Sequence, residues 1–132
     1  PGVTEDDVAA NVTGVVVVDH GSRRAESNAN HERFVAEWQT RSGFEIVEPA
    51  HMEMAEPSIG AAFDACVTRG ATEIVIAPFF LWPGRHMERD IPELAAEAAA
   101  RHPGVTYTVA AALGPHPLLG DIISERIESA RS

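Results

Sequence analysis

The chain contains no lysine; all ten of its basic residues are arginines. That excludes Schiff-base catalysis by a lysine and the lysine-bearing phosphate loop of Walker-type phosphoryl transfer. Cysteine occurs once, at Cys66, so neither an internal disulfide nor a cysteine cage for zinc or an iron–sulfur cluster can form. Any metal chemistry must rest on histidine and carboxylates. No apolar run reaches the roughly 20 residues that a membrane span needs, and Pro1-Gly2-Val3-Thr4-Glu5-Asp6-Asp7 lacks the basic flank and apolar core of a signal peptide. A soluble, cytoplasmic protein is expected. Basic charge is scarce too: 20 Asp and Glu against 10 basic residues leave a net charge of -10, which disfavours nucleic acid and membrane as partners.

With 132 residues, 45% of them hydrophobic, the chain fits one domain over 1–132, preceded by an acidic lead-in over 1–11 that is expected to be flexible. The run Val12 to Val18 is almost continuously β-branched and suits a strand buried on both faces. An amphipathic helix follows from Ala25 to Arg41, with Phe34, Val35 and Trp38 on one face and a stop at Ser42-Gly43. Phe44 to Ala50 reads as a second strand. Pro57-Ser58 opens a helix through Ile59, Phe63 and Val67, which Arg69-Gly70 closes. Thr72 to Phe80 is a third strand, and a loop through Leu81-Trp82-Pro83-Gly84-Arg85-His86 leads to a helix from Ile91 to Arg101. Val105 to Ala112 gives a fourth strand, and Leu118, Leu119, Ile122, Ile123 and Ile127 recur with helical spacing at the end. Strict alternation of strand and helix predicts an α/β fold: one three-layer domain whose four-stranded parallel sheet, in order 2-1-3-4, carries helices on both faces.

In such sheets ligands bind beyond the carboxyl ends of the strands. Of the six histidines, His20, His51, His86 and His116 each follow a strand and fall on that edge. His31 reads as a solvated helix residue and His102 as a helix C-cap. His20 and His86 would flank one crevice if strands one and three are neighbours, and two imidazoles leave open positions on a divalent metal. Gly21 permits the tight turn after His20, and Ser22 is placed to cap free N–H groups. Glu53 is a candidate proton acceptor, and Glu56 favours the next helix N-terminus. His51 is a candidate third ligand or a packed residue, and His116, between two prolines, a turn residue or a further site residue. Arg23, Arg24, Arg85 and Arg89 form a local basic rim around these histidines, suited to a small molecule with several carboxylates. The bland alternative is exposed arginines paired with Glu26, Glu88 or Asp90. A serine hydrolase built on Ser22 is disfavoured, since the nucleophile-elbow pattern is absent.

The segments Val18-Asp19-His20-Gly21-Ser22-Arg23-Arg24, Glu53-Met54-Ala55-Glu56-Pro57-Ser58, Pro78-Phe79-Phe80-Leu81, Pro83-Gly84-Arg85-His86, Asp90-Ile91-Pro92 and Leu113-Gly114-Pro115-His116 together resemble the short sirohydrochlorin chelatases, members of the class II tetrapyrrole chelatases. The resemblance runs in order from about Val12 to Ile127, and the runs Val47 to Ile59 and Phe79 to His86 look most like the sirohydrochlorin ferrochelatase branch of siroheme synthesis. It implies insertion of a divalent metal, Fe(II) foremost and Co(II) or Ni(II) as alternatives, into sirohydrochlorin, with the metal as substrate and no tightly bound cofactor. It further implies that His20 and His86 bind the metal and that the chain forms a homodimer. Two readings stay beside it: a cobalt or nickel chelatase of cobalamin-type synthesis, and a carrier that binds metal or tetrapyrrole without turnover. The chain departs from plant ferrochelatases of this type, whose cysteine-rich cluster site Cys66 alone cannot supply, and its acidic, lysine-free composition also differs from theirs. His51 stands where many cobalt-inserting relatives have an apolar residue.

Overall fold

A computed structural model describes residues 11–132. Apart from Asn11, the expected acidic lead-in lies outside the described residues. Four strands, β1 (Thr13–Asp19), β2 (Ile46–His51), β3 (Glu73–Pro78) and β4 (Thr106–Val109), alternate with four helices, α1 (Ala25–Ser42), α2 (Ile59–Thr68), α3 (Arg85–Ala99) and α4 (Pro117–Arg131). All pairings are parallel and the order is β2-β1-β3-β4, as the alternation predicts.

The valines of β1 serve both layers, because successive side chains of a strand point to opposite faces. Val16 and Val18 enter a core with Ile74, Ile76, Phe63 of α2 and Ile91 of α3, whereas Val15 and Val17 join Val47 and Val35 of α1 on the other face. Helix α2 lies very close to the sheet: a Cβ at Gly14 would meet the Cβ atoms of Ala71 and Cys66 at 2.9 and 3.0 Å. Ser58 caps α2 through its side-chain oxygen, which accepts from Ala61 N at 3.1 Å.

Several boundaries differ from expectation. Helix α3 begins at Arg85, behind an N-cap at Gly84, rather than at Ile91, so His86 sits in the first turn of a helix and not in a loop. Pro92 lies inside α3. Strand β2 starts at Ile46, leaving Phe44 exposed, and β4 ends at Val109 instead of Ala112. His31 is buried, not solvated: its Nε2 donates to the Val17 carbonyl at 2.9 Å. Helix α4 forms as predicted yet buries none of its residues, and Leu118, Ile122, Ile123 and Ile127 are exposed.

Candidate active site

The turn after β1 and the loop after β2 are tied backbone to backbone. Met52 N donates to Asp19 O at 2.8 Å and Glu53 N to His20 O at 3.1 Å, which extends the pairing past the strand ends. Gly21 has φ +90°, and a Cβ there would stand 1.9 Å from the Glu53 carbonyl oxygen. Only glycine fits this approach. Its role is to let the two segments touch. Ser22 is clamped by Asn28, whose Oδ1 accepts from Ser22 N at 3.0 Å while its Nδ2 donates to Ser22 O at 2.8 Å. The Ser22 hydroxyl accepts from Arg24 N and not from a free helix N–H.

This architecture sets His20 beside Glu53, with Nε2 3.2 Å from Oε1. The His20 Nδ1 lies 3.2 Å from Gly21 O, and the ring stands edge-on to Phe80. A carbonyl oxygen accepts only, so Nδ1 carries a proton in that contact and Nε2 is the nitrogen offered to the crevice. His86, projecting from the first turn of α3, pairs through Nδ1 with Asp90 one helical turn on, leaving its Nε2 open. A carboxylate on one ring nitrogen orients the other toward a metal. Desolvation draws the Asp90 carboxyl upward, but the hydrogen bond from Arg89 and the adjacent His86 hold it below the ordinary carboxylate value.

The carboxylates of the two pairs, Glu53 and Asp90, line one cleft of about 250 Å³ together with Met52, Glu93, Leu94 and Glu97. Among the described residues, no carboxylate pairs with Arg23, Arg24 or Arg85, while Arg89 Nε is held by Asp90 at 3.2 Å. Of these four arginines, three are thus open cations and one is tied. No group of three or more His, Cys, Asp or Glu donors assembles among the described residues. Histidines 20 and 86 are exposed, as groups that exchange a metal must be.

The other histidines are engaged elsewhere. His51 is fully buried, with Nδ1 2.6 Å from Asp19 Oδ1 and Nε2 3.0 Å from Glu32 Oε2, so neither nitrogen has a lone pair free for a metal. The expectation of a third ligand fails for that reason. His116 caps α4, its Nδ1 accepting from Leu118 N at 3.1 Å, and borders an apolar groove away from the Glu53 cleft. His102 is structural as expected, through Asp64 at 2.6 Å and stacking on Phe63. Asp90 was visible only as an arginine partner in the sequence; its spacing of four from His86 would have revealed its role had the helix start been placed at Arg85.

Comparison with known proteins identifies the family. The CbiX family model matches residues 14–130. The chain belongs to the CbiX family. It is 53% identical over 119 residues to the chloroplastic sirohydrochlorin ferrochelatase of Arabidopsis thaliana, covering 90% of this chain and 53% of that protein. To the sirohydrochlorin ferrochelatase of Priestia megaterium it is 34% identical over 113 residues, covering 86% of this chain and 42% of the relative. The crystal structure of the sirohydrochlorin chelatase SirB from Bacillus subtilis subspecies spizizenii, in complex with cobalt, superposes with a TM-score of 0.84 at 28% identity, over 89% of this chain and 50% of SirB. This CbiX chain therefore spans about half the length of these relatives. None of its described helices is long and apolar enough to cross a membrane.

Proposed function

We propose that this CbiX-family chain inserts a divalent metal, Fe(II) foremost, into sirohydrochlorin. The observation that carries the reading is that Glu53 and Asp90, each paired with an exposed histidine, His20 and His86, line one cleft. The metal is substrate, not resident cofactor. His20 and His86 offer Nε2 to the ion, and the few donors suit a transit site that must release what it binds. As the ion enters the macrocycle, two pyrrole N–H protons leave. Glu53 Oε1 takes them in turn and passes each to solvent, a role that its 3.2 Å contact with His20 Nε2 supports. Arg23, Arg24 and Arg85, with Arg89 behind them, receive the carboxylate arms of the substrate. Gly21 and Ser22 serve by shaping the turn.

The family relatives named for sirohydrochlorin, including the Arabidopsis and Priestia proteins, support the substrate, and the ferrochelatase names support iron over the cobalt and nickel alternatives. SirB was solved with cobalt, which keeps the cobalt alternative beside iron. We propose that two copies of this chain form a homodimer. The exposed stripe Leu118, Ile122, Ile123 and Ile127 of α4, beside an apolar groove of about 600 Å³ lined by Phe34, Phe79, Leu81 and Leu113, supports a second copy as its cover. The compartment is proposed to be the cytoplasm on composition alone, whereas the Arabidopsis relative is named chloroplastic.

The deciding experiment is anaerobic incubation with sirohydrochlorin and, separately, Fe(II), Co(II) and Ni(II), followed by macrocycle absorbance against metal-only controls. Multiple turnovers, fastest with Fe(II), are expected. A stoichiometric complex without acceleration replaces the enzyme with a carrier, and preference for Co(II) or Ni(II) moves the chain to the other branch.

A further inference from the structure

On the opposite face of the sheet from the cleft, four titratable groups gather that the reaction does not use. Asp19 and His51 are register partners at the ends of β1 and β2, and their side chains meet at 2.6 Å. The other His51 nitrogen lies 3.0 Å from Glu32 of α1. His31, also on α1, donates from Nε2 to Val17 O and turns Nδ1 toward Asp19 Oδ2 at 3.7 Å. Ionised carboxylates only accept, so for both contacts of His51 to be hydrogen bonds both its ring nitrogens must carry protons. The result is a buried cation bridging two strands and a helix. His51 is wholly enclosed, its own N–H is bound by Pro57 O at 2.8 Å, and the next two residues are the ones whose N–H groups hold Asp19 O and His20 O.

We propose that His51 is a positioning residue: by bridging Asp19 to Glu32 it fixes the start of the β2–α2 loop, and with it the Glu53 carboxylate, relative to His20. A buried ion pair of this kind is not needed for stability, since a well-packed apolar group of similar volume serves as well. What it adds is a defined place. Asp19 precedes His20 by one residue and Glu53 follows His51 by two, so both reacting side chains are anchored within two residues of the bridge. This inference rests on the chelatase reading for its effect on rate, and on the structure alone for its effect on geometry.

The test compares H51Q, E32A and E32Q. Gln at 51 offers its donors from a single nitrogen where the imidazole has two separated ones, Ala at 32 removes the outer acceptor, and Gln at 32 keeps an acceptor oxygen for His51 Nε2. Turnover in H51Q and E32A is expected to fall roughly 10- to 100-fold, as for a misplacement of reacting groups by about an ångström, with KM for sirohydrochlorin within about twofold and E32Q near wild type. The imidazole nitrogen resonances of His20, which report its contact with Glu53, are expected to shift in H51Q and E32A and to stay in E32Q. If those resonances and kcat are both unmoved in E32A, the inference is overturned. Lost activity with unmoved His20 resonances overturns it as well and leaves His51 a stability residue. If the wild type does not turn over while the resonances still shift, the chelatase reading falls and the positioning role stands. Should H51Q fail to fold, the E32A and E32Q pair decides.

Discussion

His20 Nε2 and Glu53 Oε1 lie 3.2 Å apart, joining the residue after β1 to a loop that begins beyond β2. In the proposed reading, Glu53 is the proton acceptor beside the nitrogen that binds the metal. Both side chains are about half exposed, so replacing either leaves the core intact. E53Q is expected to lower kcat about 100-fold or more, with the melting temperature unchanged, in steady-state assays of metal insertion. H20A and H86A are expected to abolish insertion; full activity in either would refute its assignment.

Asp90 acts through His86. Removing the carboxylate in D90A frees the His86 ring to rotate and to carry its proton on either nitrogen. Co(II) affinity, followed by its visible absorption, is expected to weaken roughly 10- to 100-fold. D90N keeps an acceptor oxygen and is expected to recover most of that loss, which separates orientation from charge.

The lone thiol should be silent. Cys66 is fully buried under the sheet, and burial together with the negative charge of Glu48 pushes it up to about 12. Thiolate is the reactive form. Alkylation of the native protein is therefore expected only at the rate of unfolding, and labelling in denaturant at once; prompt native labelling would show that α2 lifts from the sheet.

The pH dependence of stability follows from His51. Burial acts to lower its pKa, but hydrogen bonds to Glu32 and Asp19 and their charges outweigh burial and raise it above the ordinary 6.5. A raised folded pKa means that its contribution is complete below about 6.5 and is lost as pH rises through the folded value. The stability gap between wild type and H51L, from urea melts, is expected to be widest at mildly acidic pH and to narrow on the alkaline side. Asp64 works at the other end: desolvation would raise it, yet hydrogen bonds from His102 and Arg101 lower it, so its share is lost as pH falls below the usual carboxylate range.

Assembly is testable at α4. Leu118 and Ile122 are about half exposed or more and lie on the apolar groove. L118D with I122D is expected to convert a dimer to monomers by sedimentation at micromolar concentration, while leaving the α2–α3 core folded. A wild type that sediments as a monomer removes the dimer from the proposal.

The fold was legible because its signals are local and strong: a valine run for β1, a capping Ser58 for α2, and turns at Ser42-Gly43 and Arg69-Gly70. The positions of His20 and Glu53 followed from strand ends alone. What escaped was whatever depends on a partner far along the chain. His31 looked solvated because charged and polar residues surround it in α1, although its spacing of four from the buried Val35 marks it as facing the sheet. His51 looked like a ligand because nothing local announces that Asp19 and Glu32, distant by 32 and 19 residues, already occupy both its nitrogens. Asp90 was hidden because the expected helix began at Ile91, one residue after it, whereas α3 begins at Arg85.

Residues 19 and 20 stand next to each other in the chain and on opposite sides of the sheet, one facing α1 with Val15 and Val17, the other facing Phe80. A single inserted or deleted residue in β1 exchanges those sides. It would thrust the imidazole toward Glu32 and the carboxylate into the cleft, while the valine run, apolar at every position, still fills both layers. Length changes in this strand are thus expected to yield folded but inert protein, a class of variant in which solubility and activity part company.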